Sequence, residues 1–232
     1  MTPVRWARSK ARSAVDQLFC TSSPDIKRVG DAHSGWVINV NPPPQTAYCA
    51  GVGQGMTLEL ELARMMQKPV LVFDPSPTGI NTVSKSDARN LHFFPVGLAA
   101  NAGWVKFSLP KVAGEGSYSV IQDGLDTVCF ECYNLSTIMS RNGDLCIDLL
   151  KMDIEGFEYD IVNQFLDQKV PVRQLCVEFH AWLGPNQTLK TIARLYKAGY
   201  RIIHKHRGDY TFLLNQSRYT ELKRNRNSRL ES

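Results

Sequence analysis

One stretch constrains this chain more than any other. From Leu145 to Asp153 it runs LCIDLLKMD, almost unbroken in apolar character and ending on a carboxylate. Such a run predicts a strand buried on both faces, which requires other elements packed above and below it. The flanks supply them. Residues 135–141 have helical character, and Phe157, Ile161, Phe165 and Leu166 mark an amphipathic helix. From about residue 46 short apolar runs alternate with helical segments, so the expected fold class is α/β with a mostly parallel sheet. The strands are TAYCAG (46–51), VLVFD (70–74), LHFFPVGL (91–98), the central run, and QLCVEFH (174–180). YRIIHKH and YTFLLN close the sheet after a helix over 188–198 that Gly199 terminates. GWVKFSLP (103–110) predicts a hairpin arm, and the glycine-rich 111–134 is expected to be irregular and mobile over a site.

The chain has 232 residues, with 43% hydrophobic and 21% charged, which suits one globular domain and excludes disordered and collagen-like classes. Its net charge of +5 sits at the ends. Arg5, Arg8, Lys10 and Arg12 meet no acid within residues 1–12, and residues 217–232 carry five bases against Glu221 and Glu231. The body between is slightly acidic, so the bases predict solvated ends and no specific nucleic-acid partner. The expected division is a basic extension over 1–30, a domain over 31–216 and a basic tail over 217–232. No apolar window is long enough for a membrane span, and the first twenty residues lack a signal-peptide core. A cytoplasmic location is therefore expected, or a secretory one if the N-terminus is truncated; Asn134, Asn186 and Asn215 lie in N-x-S/T triplets that matter only in a secretory lumen. Six cysteines are too few for a disulfide scaffold. Cys129 and Cys132 form a lone CxxC without the further ligands of a zinc site.

Ligands of open parallel sheets bind beyond the carboxyl ends of the strands. Strand one runs into Gly51-Val52-Gly53-Gln54-Gly55, strand two into Asp74, the central strand into Asp153 and Glu155, and the next into Glu178 and His180. The third glycine of a dinucleotide GxGxxG would fall at Met56, so pyrophosphate binding is not indicated, although a nicotinamide oxidoreductase stays as a remote alternative. The glycine turn allows close approach of a nucleoside, and Asp74 is placed to accept its ribose hydroxyls.

GVGQG with the following ELEL, VFDPSP, FFPVGLA, LLKMDIEGFEYDIV and CVEFH occur in the order in which the FkbM-type S-adenosylmethionine-dependent methyltransferases carry them. The chain resembles that family over about residues 46–205. The resemblance implies a Rossmann-like, seven-stranded sheet with helices on both faces and an antiparallel last strand. It also implies S-adenosyl-L-methionine as cofactor and O-methylation of a small hydroxylated metabolite or sugar. The cofactor-binding residues are then Gly51, Val52, Gly53, Gly55, Asp74, Pro75, Gly97, Leu98 and Asp153. The family's glycine motif has an acid two residues before its first glycine, where this chain has Cys49, a departure that keeps open an inactive binding or interaction domain.

Methyl transfer needs alignment and a proton acceptor. His180, with an ordinary pKa of about 6.5, is the expected base, supported by Glu155 and Asp153. Its imidazole could instead hold a loop, and Glu155 and Glu178 are alternative bases. No metal is expected, though Asp153 and Glu178 could together hold a divalent ion. His204 and His206 are expected at the surface.

Overall fold

The computed structural model describes residues 20–87, 89–112, 116–120 and 126–230. Most of the expected N-terminal extension and parts of the 111–134 segment lie outside the described residues. In chain order the elements are β1 (Ile26–Val29), β2 (Trp36–Asn39), β3 (Ala47–Ala50), α1 (Thr57–Met65), β4 (Val70–Phe73), α2 (Pro77–Ser84), β5 (Leu91–Phe94), β6 (Gly97–Leu98), β7 (Gly103–Ser108), β8 (Thr127–Tyr133), α3 (Leu135–Asn142), β9 (Ile147–Met152), α4 (Glu158–Asp167), β10 (Val172–Glu178), a 3₁₀ turn at Ala181–Leu183, α5 (Pro185–Ala198), β11 (Tyr200–His206), β12 (Asp209–Leu214) and α6 (Gln216–Leu230).

The main sheet has seven strands in the order β5-β4-β3-β9-β10-β12-β11, all parallel except β12. This is the Rossmann-like methyltransferase arrangement expected from the sequence. Strand periodicity divides the core. Tyr48, Ala50, Leu71, Phe73, Leu150 and Met152 face a cluster with α3, α4 and α5, whereas Ala47, Cys49, Val70, Val72 and Leu149 face α1 and the β1–β2 hairpin. The hairpin is fixed to the sheet by Gln174, whose buried amide accepts from Asn39 N and donates to Asn39 O.

Three expectations change. Residues 91–98 do not form one strand: Pro95 has no N–H to continue the ladder, so β5 ends at Phe94, and Gly97–Leu98 pairs instead with β8. The stretch expected to be irregular contains β8, whose TVCFECY alternates between exposed and partly buried positions and pairs antiparallel with β7. Cys129 and Cys132, three apart on that strand, lie one exposed and one buried on opposite faces, so they cannot share a metal ion. Of residues 217–232, expected as a solvated tail, those described (217–230) belong to α6. Its Tyr219 is buried and donates to Asp148 Oδ1 at 2.6 Å.

Candidate functional site

After β3 the chain moves to β4 on one side and later to β9 on the other, so the strand order reverses beside β3. A cleft of about 1130 Å³ opens there at the carboxyl ends of the strands. Gly51, Val52, Gly53, Gly55, Asp74, Pro75, Gly97, Leu98 and Asp153 all line it, as do Glu155 and Glu178. His180 is not among the lining residues.

Two glycines shape the loop after β3. Gly51 has φ +82°, and a Cβ there would lie 1.8 Å from the Asp153 carbonyl oxygen, so only glycine lets the ends of β3 and β9 approach. Gly53 has φ +54°, and a Cβ there would meet nothing within 4 Å. That bare backbone faces the open cleft, a fit for a ligand that packs flat against the loop. Residues 116–118 also line the cleft; a Cβ on Gly116 would come 3.1 Å from Gly53 Cα, so this segment passes directly over the loop. Met56, where a dinucleotide motif would have its third glycine, is buried in the core. Ser34 of the β1–β2 turn accepts from Thr57 N and so caps α1 from a distance.

Asp74 does not have the free carboxylate that a ribose acceptor needs. Its Oδ2 accepts from Val52 N (2.8 Å) and Gly53 N (3.0 Å), and its Oδ1 from Ser76 N (2.8 Å) and Ser76 Oγ (2.6 Å). A carboxylate has about four lone-pair sites, and the chain itself fills them. Asp74 is the anchor of the glycine loop.

His180 likewise differs from the expected neutral base. Nε2 lies 3.2 Å from Glu155 Oε2 and Nδ1 lies 3.1 Å from Glu158 Oε1, and the side chain is 9% exposed. Burial alone would favour the neutral ring, but the two carboxylates outweigh it and push the pKa up to about 11. The ring is an imidazolium with both N–H groups committed. It holds Glu155, whose pKa is lowered because the His180 charge overcomes the effect of burial. Glu155 sits at φ +54°, a strained conformation for a residue with a side chain, and Gly156 follows at φ +111°. Glu158, fully buried, fixes this turn by accepting from Ile154 N and Gly156 N.

Glu178, at the end of β10, also lines the cleft, next to the strand that ends at Asp153. Burial first, then the Asp153 charge, pushes Glu178 up to about 8. Asp209, paired with Glu178 in register, is raised too, by burial and by Asp153. One ligand atom each from Asp153, Glu155 and His180 lies within 4.8 Å of the others. With both ring nitrogens of His180 donating to carboxylates, it offers no lone pair to a cation, and the trio does not form a metal centre as arranged.

Three residues of the site were not assigned from the sequence. Lys151 is buried in β9, donates to the Gly51 carbonyl and lies 3.9 Å from Glu59 of α1, itself 1% exposed. Burial acts against the Lys151 charge, but Glu59, Asp153 and other acids raise its pKa nonetheless. A lysine inside the apolar run was the available signal, since buried lysines are almost always paired. Glu59 shares a helical face with Leu62, Ala63 and Met66, which marks it as inward-facing. Glu158 had no signal beyond its place in the motif.

A family model described as the methyltransferase FkbM domain matches residues 29–202. Among solved structures, the crystal structure of methyltransferase FkbM from Methylobacillus flagellatus KT is similar at 16% identity and a TM-score of 0.47, covering 73% of this chain. The match spans 43% of the length of that protein. No curated protein matches the chain at a significant level.

Proposed function

The chain belongs to the FkbM methyltransferase family, and on that premise we propose that it transfers a methyl group from S-adenosyl-L-methionine to a hydroxyl of a small hydroxylated molecule. The observation that carries this reading is the bare face of Gly53, open to a cleft that Asp153, Glu155 and Glu178 also line. The cofactor would lie against residues 51–55, with Pro75, Gly97 and Leu98 as apolar and backbone walls. When bound it supplies a methyl already activated on a sulfonium, so the chain's task is alignment and proton removal.

Glu155, held ionised by His180, is suited to accept a hydrogen bond from the acceptor and orient it. The Asp153–Glu178 pair takes the hydroxyl proton, in place of the His180 expected from the sequence. Residues 116–118 cover the loop and limit access of water. Among the described residues no helix is long and apolar enough to cross a membrane.

Thermal melting with S-adenosylhomocysteine tests the cofactor assignment. A ligand selective for the native state adds about 2.7 kcal/mol at a hundredfold excess over Kd. An absent shift with a folded protein at millimolar ligand removes the assignment. Mass spectrometry of a metabolite pool incubated with the protein and S-adenosylmethionine then identifies any acceptor as the species that gains a methyl group. An inactive binding domain would show the melting shift and no methylated product.

A further inference from the structure

A second cavity, of about 640 Å³, lies at the opposite end of the sheet from the cleft. Arg173, near the start of β10, lines it, while Glu178 at the end of that strand lines the cleft, about 16 Å away at 3.3 Å per residue. The two cavities differ in charge. Asp31, Asp74, Asp153, Glu155, Glu178 and Asp209 line the cleft, whereas among the described residues no acid lines the second cavity. Arg173, Lys197, Arg201 and Arg218 do line it, and Thr21, Ser22 and Ser23 bring hydroxyls along the segment before β1.

Most of this positive charge meets no carboxylate. Arg218 pairs with Glu221 one turn along α6, at 2.7 Å. Arg173 is 4% exposed, yet among the described residues its guanidinium donates to neutral oxygens alone: Pro42 O (2.8 Å), Asn41 O (3.1 Å) and Asn39 Oδ1 (3.2 Å). Asp148 acts on it from beyond contact, its own oxygens taken by Tyr219, Gln45 N and Thr46 N. Arg201 donates to the carbonyls of Tyr196 and Tyr200, and Lys197 has no ion pair among the described residues. The helix ends do not supply the missing negative charge. The carboxyl end of α5 and the amino end of α6 both border the cavity, and their partial charges of about half a unit are opposite in sign. A buried charge is costly unless something of opposite sign meets it. Two guanidinium forks, an ammonium and a row of hydroxyls match the tetrahedral oxygens of a phosphate, whereas a lone carboxylate would offset a single charge. We infer that this cavity is a phosphate-binding site, separate from the methyl-transfer cleft, which takes the phosphate monoester of a small molecule or of a lipid headgroup. The volume beyond the phosphate itself receives the group that carries it. The site does not depend on the cofactor reading, because it shares no residue with the cleft.

Thermal melting with inorganic phosphate, against chloride and acetate at equal ionic strength, tests the site. A saturable rise in melting temperature is expected with phosphate and not with acetate. Lys197→Gln combined with Arg201→Gln removes two exposed bases of the cavity and should weaken phosphate binding by about tenfold or more, as loss of charge-assisted hydrogen bonds does. Lys223→Gln with Arg224→Gln removes the same charge from α6 outside the cavity, where salt screens it, and should leave the affinity within about twofold. Lys197→Gln alone, at an exposed helix position, covers the case of a double variant that does not fold and should lose part of the affinity. Flotation with phosphatidylcholine vesicles, with and without phosphatidic acid, separates the two sources. Capture by the phosphatidic acid vesicles that the cavity variant abolishes assigns a lipid headgroup; phosphate binding without such capture assigns a soluble phosphate monoester. The inference is overturned by the absence of both a phosphate shift and cavity-dependent capture, by an equal shift with acetate, or by equal losses in the two double variants, which would mark a general attraction of anions to basic surface.

Discussion

Glu158 Oε1 lies 3.1 Å from His180 Nδ1 while the same carboxylate receives the backbone N–H groups of Ile154 and Gly156. One buried acid therefore sets both the shape of the turn after β9 and the charge of the only histidine that follows β10 directly. Through that histidine it also fixes Glu155 at the edge of the cleft.

Imidazole ¹⁵N NMR should find His180 doubly protonated from pH 6 up to about 10, consistent with a pKa pushed up to about 11 by its two carboxylates. Glu158→Gln should lower that pKa and destabilise the fold by roughly 1.5–3 kcal/mol through weakened charge-assisted hydrogen bonds. A His180 resonance that titrates near its ordinary value in the wild type would restore it as a candidate base.

Stability should fall as pH rises on the alkaline side. Glu178 binds its proton more tightly folded (about 8) than at its ordinary 4.5, so its contribution is complete below 4.5 and is lost as pH rises through 8. His180, raised from 6.5 to about 11, contributes fully below 6.5 and loses that contribution as pH approaches 11. Melting temperatures of the wild type, Glu178→Gln and His180→Gln should separate the two: the first variant flattens the slope between about pH 4.5 and 8, the second the slope between about 6.5 and 11.

The two glycines of the loop should behave differently. Gly53→Val has room for its side chain and loses about 1–2 kcal/mol from the left-handed backbone, so it should fold yet fail to bind S-adenosylhomocysteine. Gly51→Ala would drive a methyl into the Asp153 carbonyl and should compromise folding itself. Circular dichroism and ligand-induced melting shifts distinguish these outcomes; normal affinity in Gly53→Val would place the ligand elsewhere.

Asp74→Ala should act mainly on stability. It leaves the N–H groups of Val52, Gly53 and Ser76 and the Ser76 hydroxyl without their acceptor, and each buried orphan costs about 1–3 kcal/mol. Weaker cofactor binding would follow from the loosened loop. A variant that keeps wild-type stability but loses affinity would return Asp74 to the ribose role.

Lys151→Met removes the partner of a buried acid and should lower stability by about 3–5 kcal/mol. Adding Glu59→Gln should recover part of that loss, since the uncompensated charge is gone. Urea denaturation of the single and double variants measures the coupling, and strictly additive losses would show that the pair does not act as a unit.

The fold was legible because strand and helix periodicities are local. LCIDLLKMD marked a doubly buried strand, Gly199 ended α5 at φ +102°, and the alternation of elements led to the parallel sheet. The glycine loop and the acids at the strand ends were legible for the same reason: they follow apolar runs immediately, and the sheet brings such positions together. Tertiary structure alone decided what each carboxylate does. Asp74, Asp153, Glu155, Glu158 and Glu178 are the same chemistry in the sequence, yet they become a loop anchor, a charge that raises its neighbour's pKa, an ionised rim acid, a buried hub and a raised-pKa acid. The role of an acid depends on which donors and charges lie within a few ångströms and on how much water is excluded, and those neighbours come from segments up to about a hundred residues away. Lys151 and Glu59, separated by the whole of β4 through α3, meet only because β9 inserts beside β3.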